Sequence, residues 1–157
     1  MYADSLKIIE KLDLPFPWET NARGRIIMTP HGYNHSFRVC QLGRIFAAIA
    51  PEWHCGYQLG IFTTDGLKGA DITLASRVYH ARHINDKGYV TEAPEICIEV
   101  MSPSNSWQEM REKMPLYFEV GAQEVWIVDI DGKISFFAPG NEQLPESPLI
   151  PEAPQSI

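Results

Sequence analysis

Two acidic residues interrupt stretches that otherwise read as buried strand. Asp71 opens Asp71-Ile72-Thr73-Leu74, and Glu99 sits inside Ile96-Cys97-Ile98-Glu99-Val100-Met101, 28 positions later. Burying an ionised carboxylate without a partner costs on the order of several kcal/mol. Each acid must therefore be paired, protonated or given a metal ion. If the two strands are neighbours, the carboxylates converge and can hold a hard divalent cation. Mg²⁺ suits such a site, because it takes one or two carboxylates, keeps several waters and accepts a phosphate oxygen. An ion so held activates a water and stabilises the charge that develops in phosphodiester cleavage. Taken singly, Asp71 reads equally well as a turn cap and Glu99 as the partner of an arginine.

Lys113 is the third candidate. It follows Met110 by three residues and precedes Tyr117 by four, so it flanks the apolar stripe of its helix and can reach over a sheet edge toward Glu99. The plainer account is an i,i+4 ion pair with Glu109, worth about 0.3–0.5 kcal/mol. Arg111 turns away from that stripe toward solvent. Other groupings are weaker. His54-Cys55 and His31 with His35 suggest zinc but fall short of four regularly spaced ligands. His80, His83, Arg77, Arg82 and Lys87 suit either phosphate contact or a solvated loop.

The elements that must carry these residues follow from pattern. Ser106-Trp107-Gln108-Glu109 has capping-box spacing, and Met110, Met114, Tyr117 and Phe118 form one helical stripe that Gly121 closes. Pro115 should kink this helix near Arg111. Val125-Trp126-Ile127-Val128 is a second apolar strand, so the unit reads strand, helix, strand of a covered, partly parallel sheet. Upstream, residues 2–11 suit a short helix, Trp18-Glu19-Thr20 and Arg25-Ile26-Ile27-Met28 a hairpin, and Thr29-Pro30-His31-Gly32 a turn. A helix is expected over 35–50, strands at 58–62 and 71–74, and a loop with one helical turn over 76–89. Asp131-Gly132 marks a further hairpin. Residues 139–157 hold five of the twelve prolines and read as an extended segment laid over the body.

A chain of 157 residues, 45% hydrophobic, fits one domain spanning 1–157 with a real core. Its formal net charge of −7 argues against attachment to nucleic acid by bulk charge, though not against a local basic channel. Cys40, Cys55 and Cys97 are scattered, as expected of reduced thiols in a cytoplasmic protein. No stretch suggests a signal peptide or a membrane span.

The ordered run Pro94-Glu95, Glu99-Val100-Met101-Ser102-Pro103-Ser104, Lys113, Tyr117, Gly121, Glu124 and Trp126-Ile127-Val128-Asp129 resembles the Uma-two family, grouped with restriction endonucleases in the PD-(D/E)XK nuclease superfamily. Lys68-Gly69-Ala70-Asp71-Ile72 matches the family's basic–x–Pro–Asp–Val segment, with Ala70 in place of proline. Trp18-Glu19, Ile27-Met28-Thr29-Pro30 and His35 match its opening hairpin and the start of its first long helix. The resemblance covers about residues 16–138. It implies an α/β, restriction-endonuclease-like fold, a mixed sheet of four or five strands flanked by helices. It implies Asp71 and Glu99 as metal-binding acids, Glu19 as a further acid near the metal, and Lys113 as the catalytic lysine. The superfamily's Glu-x-Lys would place that lysine at position 101, where this chain has Met101. The implied cofactor is Mg²⁺, with Mn²⁺ as a substitute, and the implied substrate is DNA; one cleft per chain and two strands to cut make a homodimer the expected form. The alternative is a nuclease-fold binding or assembly module whose catalytic site has lapsed.

Overall fold

Ile96–Val100 is buried at every position, and so is Glu124–Val128. Neither segment can lie at an edge, and they pair in parallel, from Ile96 opposite Glu124 to Val100 opposite Val128. A parallel pair needs a crossover, supplied here by the helix Trp107–Glu119. In this computed structural model, which describes Lys11, Leu14 and residues 17–28 and 31–157, these segments are β5, α3 and β6. The helix expected over 2–11 lies outside the described residues but for Lys11, as does Thr29-Pro30 of the expected turn.

Around that centre the order is β1 (Trp18–Thr20), β2 (Ile26–Met28), α1 (Tyr33–Ile49), β3 (His54–Thr63), β4 (Gly66–Ala75), α2 (Arg77–His83), β5, α3, β6, β7 (Ile134–Ala138) and β8 (Glu142–Leu144). The main sheet has six strands in the order β3-β4-β5-β6-β7-β8, and β1 with β2 forms a separate two-stranded hairpin. All neighbours in the main sheet other than β5 and β6 are antiparallel. The mixed α/β architecture is therefore as expected, with six strands in place of four or five. Three strands are longer or better hidden than their sequence suggests. The hairpin β3–β4 runs ten residues on each arm, and β8 is a three-residue strand inside the proline-rich segment.

The sheet separates two layers of core. On one side α1 contributes Leu42 and Phe46 against Ile72, Leu74, Ile98 and Trp126. On the other α3 contributes Met110, Met114 and Tyr117 against Cys97, Val125 and Ile127. The expected capping box opens α3: Ser106 Oγ accepts from Glu109 N–H, and a Glu109 carboxylate oxygen accepts from Ser106 N–H. Gly121, at φ +116°, takes the left-handed backbone that ends it. Pro115 lies inside α3 without ending it. It has no N–H for Arg111 C=O, and the Asn141 side chain donates to that carbonyl instead, at 3.1 Å.

One departure from strand regularity fixes the site. Ala70 and Ile72 are two residues apart, so alternation should put them on one face, yet Ala70 packs in the α3 layer and Ile72 in the α1 layer. Likewise Cys55 packs against the α1 layer and Leu59 against the α3 layer. The facing positions Gln58 and Asp71 are skipped in the pairing register, and Gln58 has φ +52°. The hairpin thus crosses from one layer to the other at Gln58 and Asp71. Their side chains are released from the alternation that would have fixed them to one face.

The segment after β8 packs on the body of the sheet. Ile150 and Ala153 enter the α1-side core. Ile134 N–H donates to Gln155 C=O, and Glu124 accepts from Trp126 Nε1, Ser147 Oγ and Leu149 N–H. No described helix is long and apolar enough to cross a membrane.

Candidate active site

The hairpin β1–β2 is seated on β4 by three contacts. Leu67 N–H donates to Thr20 Oγ1, Lys68 Nζ to Thr20 C=O, and Gly69 N–H to Glu19 Oε1 at 3.0 Å. Gly66 permits the close approach, since a Cβ there would meet Thr20 O at 2.7 Å. Glu19 is thereby brought over the sheet toward α3. From α3, Lys113 Nζ reaches back to lie 2.7 Å from Glu19 Oε1 and 3.0 Å from Glu99 Oε1. Arg111 is exposed. The i,i+4 pair with Glu109 is thus not the role of Lys113, whose two partners come from β1 and β5. Met101 is buried in the α3-side core, so the cation beside Glu99 comes from the helix and not from β5.

Glu99 is 5% exposed and accepts a second bond to the same Oε1, from Tyr117 Oη at 2.6 Å. Its Oε2 receives no hydrogen bond from any described residue. Burial pushes its carboxyl up to about 8, against the pull of Lys113 and with help from Asp71 and Glu19. Burial opposes the Lys113 charge as well, but the carboxylates of Glu99 and Glu19 outweigh it and leave the ammonium firmly protonated. A buried acid held short of ionisation, with one oxygen unbonded, fits a cation that would complete its charge balance.

Asp71 is held differently. Oδ2 accepts from Val100 N–H at 2.8 Å and lies 3.0 Å from His35 Nε2, while Oδ1 accepts from Gln58 Nε2 at 2.9 Å. The bond from Val100 replaces a strand partner, because the β4–β5 ladder ends at Ile72 opposite Ile98. Burial raises its carboxyl, but the His35 bond and charge, then Val100 N–H and the more distant Lys113, bring it below the usual carboxylate value. His31 Nε2 stands 3.7 Å from Asp71 Oδ1, and the rings of His31 and His35 stack at 3.9 Å with 5° between their planes. Burial, then the neighbouring His35, lowers His31. Among the described residues His31, His35 and Asp71 form the one group whose ligand atoms lie together as a metal would require, within 4.8 Å of one another.

Asp71, Glu99, Glu19 and Lys113 all line one cleft of about 490 Å³. The four site residues expected from the sequence are therefore brought together. The Tyr117 hydroxyl, Gln58, and the histidines as partners of Asp71 were not read from the sequence. Tyr117 carried a signal, since a buried phenol in an apolar stripe needs a polar partner. Gln58 carried none, because its place depends on the layer crossing. The cations of the 76–89 segment serve elsewhere. The first half of that segment forms α2, longer than the one helical turn expected, and residues 84–89 stay non-helical; Arg82 and His83 bind Glu92, His80 stacks on His54, and none of them lines the cleft.

Comparison with known proteins agrees with this architecture. The chain is similar over its fold to a solved structure from Anabaena variabilis ATCC 29413, titled "a putative nuclease belonging to DUF820", with a TM-score of 0.73. That likeness covers 97% of this chain and 93% of the other at 18% identity, and at that identity it speaks for the fold alone. Among curated proteins none matches. The model of the Uma2 family, described as "Putative restriction endonuclease", matches residues 12–155, and the chain belongs to that family.

Proposed function

We propose that the chain is a Mg²⁺-dependent endonuclease that hydrolyses DNA phosphodiester bonds, with Mn²⁺ able to substitute. Asp71 and Glu99 are the acids that hold the ion, Glu19 is a third acid beside them, and Lys113 is the catalytic cation. The observation that carries this reading is Lys113, whose ammonium bridges Glu19 and Glu99 at 2.7 and 3.0 Å in the cleft that Asp71 also lines. A bound Mg²⁺ supplies Lewis-acid polarisation of a phosphoryl oxygen and lowers the pKa of a coordinated water. The residues do the rest. Tyr117 and Lys113 fix Glu99 through one oxygen and leave the other for the ion. Asp71 stays ionised through its His35 and Val100 bonds. Lys113 meets an incoming phosphate oxygen, exchanging its contact with Glu19 for the negative charge of the transition state.

Cutting both strands of a duplex is simplest with a two-fold pair of such clefts, which supports a homodimer as the active form; light scattering that finds a monomer at high micromolar concentration overturns this. Three free cysteines support a cytoplasmic setting. One observation favours the other reading, a lapsed nuclease-fold binding module: both oxygens of Asp71 are already engaged by protein partners. Cleavage of plasmid DNA in Mg²⁺ or Mn²⁺, abolished by Asp71→Ala and by Glu99→Ala, is the expected outcome. No cleavage, together with a melting temperature indifferent to either ion, selects the lapsed module.

A further inference from the structure

The two flanks of Asp71 differ in chemistry. Toward α3 lies Glu99, an oxygen donor. Toward α1 lie two imidazoles whose Nε2 atoms both face the carboxylate, at 3.0 Å for His35 and 3.7 Å for His31. His31 and His35 are four residues apart, His35 in the first turn of α1, and their rings are parallel. Two nitrogens and an oxygen lie around one point, though the parallel rings direct their lone pairs side by side and one ring must tilt before both can aim at it. The Gln58 amide, 3.3 Å from His31 Nε2 and 2.9 Å from Asp71 Oδ1, now occupies that point.

We infer that His31, His35 and Asp71 form a site for a first-row transition ion of the Zn²⁺, Co²⁺ or Ni²⁺ type, which shares Asp71 with the oxygen-only side of the cleft and differs from it in its two imidazoles and in selectivity. Imidazole suits these ions, whereas Mg²⁺ takes oxygen. Two metal–ligand bonds of about 2.1 Å span at most about 4.2 Å, so atoms within 4.8 Å of one another need close by no more than about 0.6 Å. Gln58 must swing aside, and the cleft gives it room. Two histidines and one carboxylate leave further coordination positions to water or substrate. Ligation moves the His35 proton to Nδ1, which is buried with no partner. Missing outer partners cost about 10–100-fold in affinity, so this site binds more weakly than one whose imidazoles are both anchored.

The site shares Asp71 with the nuclease reading but does not depend on it, and its test reads the ion directly. The full chain, stripped by chelator, is titrated with Co²⁺ while its visible d–d absorption is followed, and with Zn²⁺ by calorimetry. We expect one ion per chain, a visible band, and retention of that ion in a large excess of Mg²⁺. His31→Asn and His35→Gln should each weaken Co²⁺ binding by at least about 10-fold, the smallest loss expected even for an outer partner. His31 is only partly buried, so its variant tests the site even if His35→Gln fails to fold. Glu99→Gln should leave the band in place. No Co²⁺ or Zn²⁺ binding, a band insensitive to His31→Asn, ready displacement by Mg²⁺, or loss of the band in Glu99→Gln overturns the inference. A histidine-dependent band in a protein that cuts nothing in any metal would sink the nuclease reading and leave this site standing. Mg²⁺-driven cleavage without the band would do the reverse.

Discussion

Glu99 carries the strongest solution signature of any residue in the cleft. Its ordinary carboxyl value is 4.5, and in the fold burial raises it to about 8. Between those values the folded protein holds a proton that the unfolded chain has released, so stability falls as pH rises. The benefit is complete below about 4.5 and lost through about 8. Asp71, shifted the other way, acts only below this window, and Lys113 only above it. His31, lowered from its ordinary 6.5, acts in the opposite sense below that value, so chelated protein should lose urea resistance most clearly from about pH 6.5 to pH 8, and Glu99→Gln should flatten that slope. A slope unchanged in the variant would exclude Glu99 as its source. The same proton explains what Lys113→Met should do. Removing one member of a buried pair commonly costs about 3–5 kcal/mol because a bare charge remains. Here Glu99 already holds its proton at neutral pH, so no bare charge is left on it, and Lys113→Met should fold at neutral pH while DNA cleavage falls to background. Arg111→Met, at an exposed site, should leave cleavage within about twofold; equal losses in both variants would refute the assignment of Lys113.

At the scale of the element, α3 shows what was legible and what was not. Its start, its buried stripe and its glycine stop follow from spacing, because capping and burial are local properties of the chain. That Pro115 would be tolerated does not follow, because the remedy comes from Asn141, far along the chain. Asn141 also sits at φ +58°, a conformation asparagine adopts more readily than other residues with a side chain. Asn141→Ala should destabilise by about 2 kcal/mol, combining a lost hydrogen bond with a strained backbone. In a Pro115→Ala background the N–H of residue 115 supplies the donor, so the same change should cost only about half as much. Strict additivity in urea denaturation would show that the two residues are not coupled. The strands divide in the same way. β5 and β6 announce themselves as apolar runs, the first interrupted only by Glu99 and the second headed by Glu124, whereas β8 is too short and polar to stand apart from the prolines around it.

For the whole molecule, the ordered motif from Pro94 to Asp129 made the family legible, and with it Asp71, Glu99, Lys113 and Glu19. The histidine partners of Asp71 stayed hidden because they depend on where the hairpin β3–β4 changes layers, a tertiary event with no local cue. That crossing divides the cleft into two walls that are paired differently. Beyond it, residues 66–70 of β4 no longer pair with β5, which meets β4 only from Ile72 to Leu74. They pair with β3 and carry Gly69, Lys68 and, through them, Glu19. Asp71 and Glu99 belong to the anchored wall, and Glu19 rides on a jaw. Amide hydrogen exchange should therefore be faster across 66–70 than across 72–74 and 96–100, and uniform protection would argue for a rigid mouth. A jaw that gives while the acids stay fixed lets the cleft admit strands of differing width without disturbing the geometry of its chemistry.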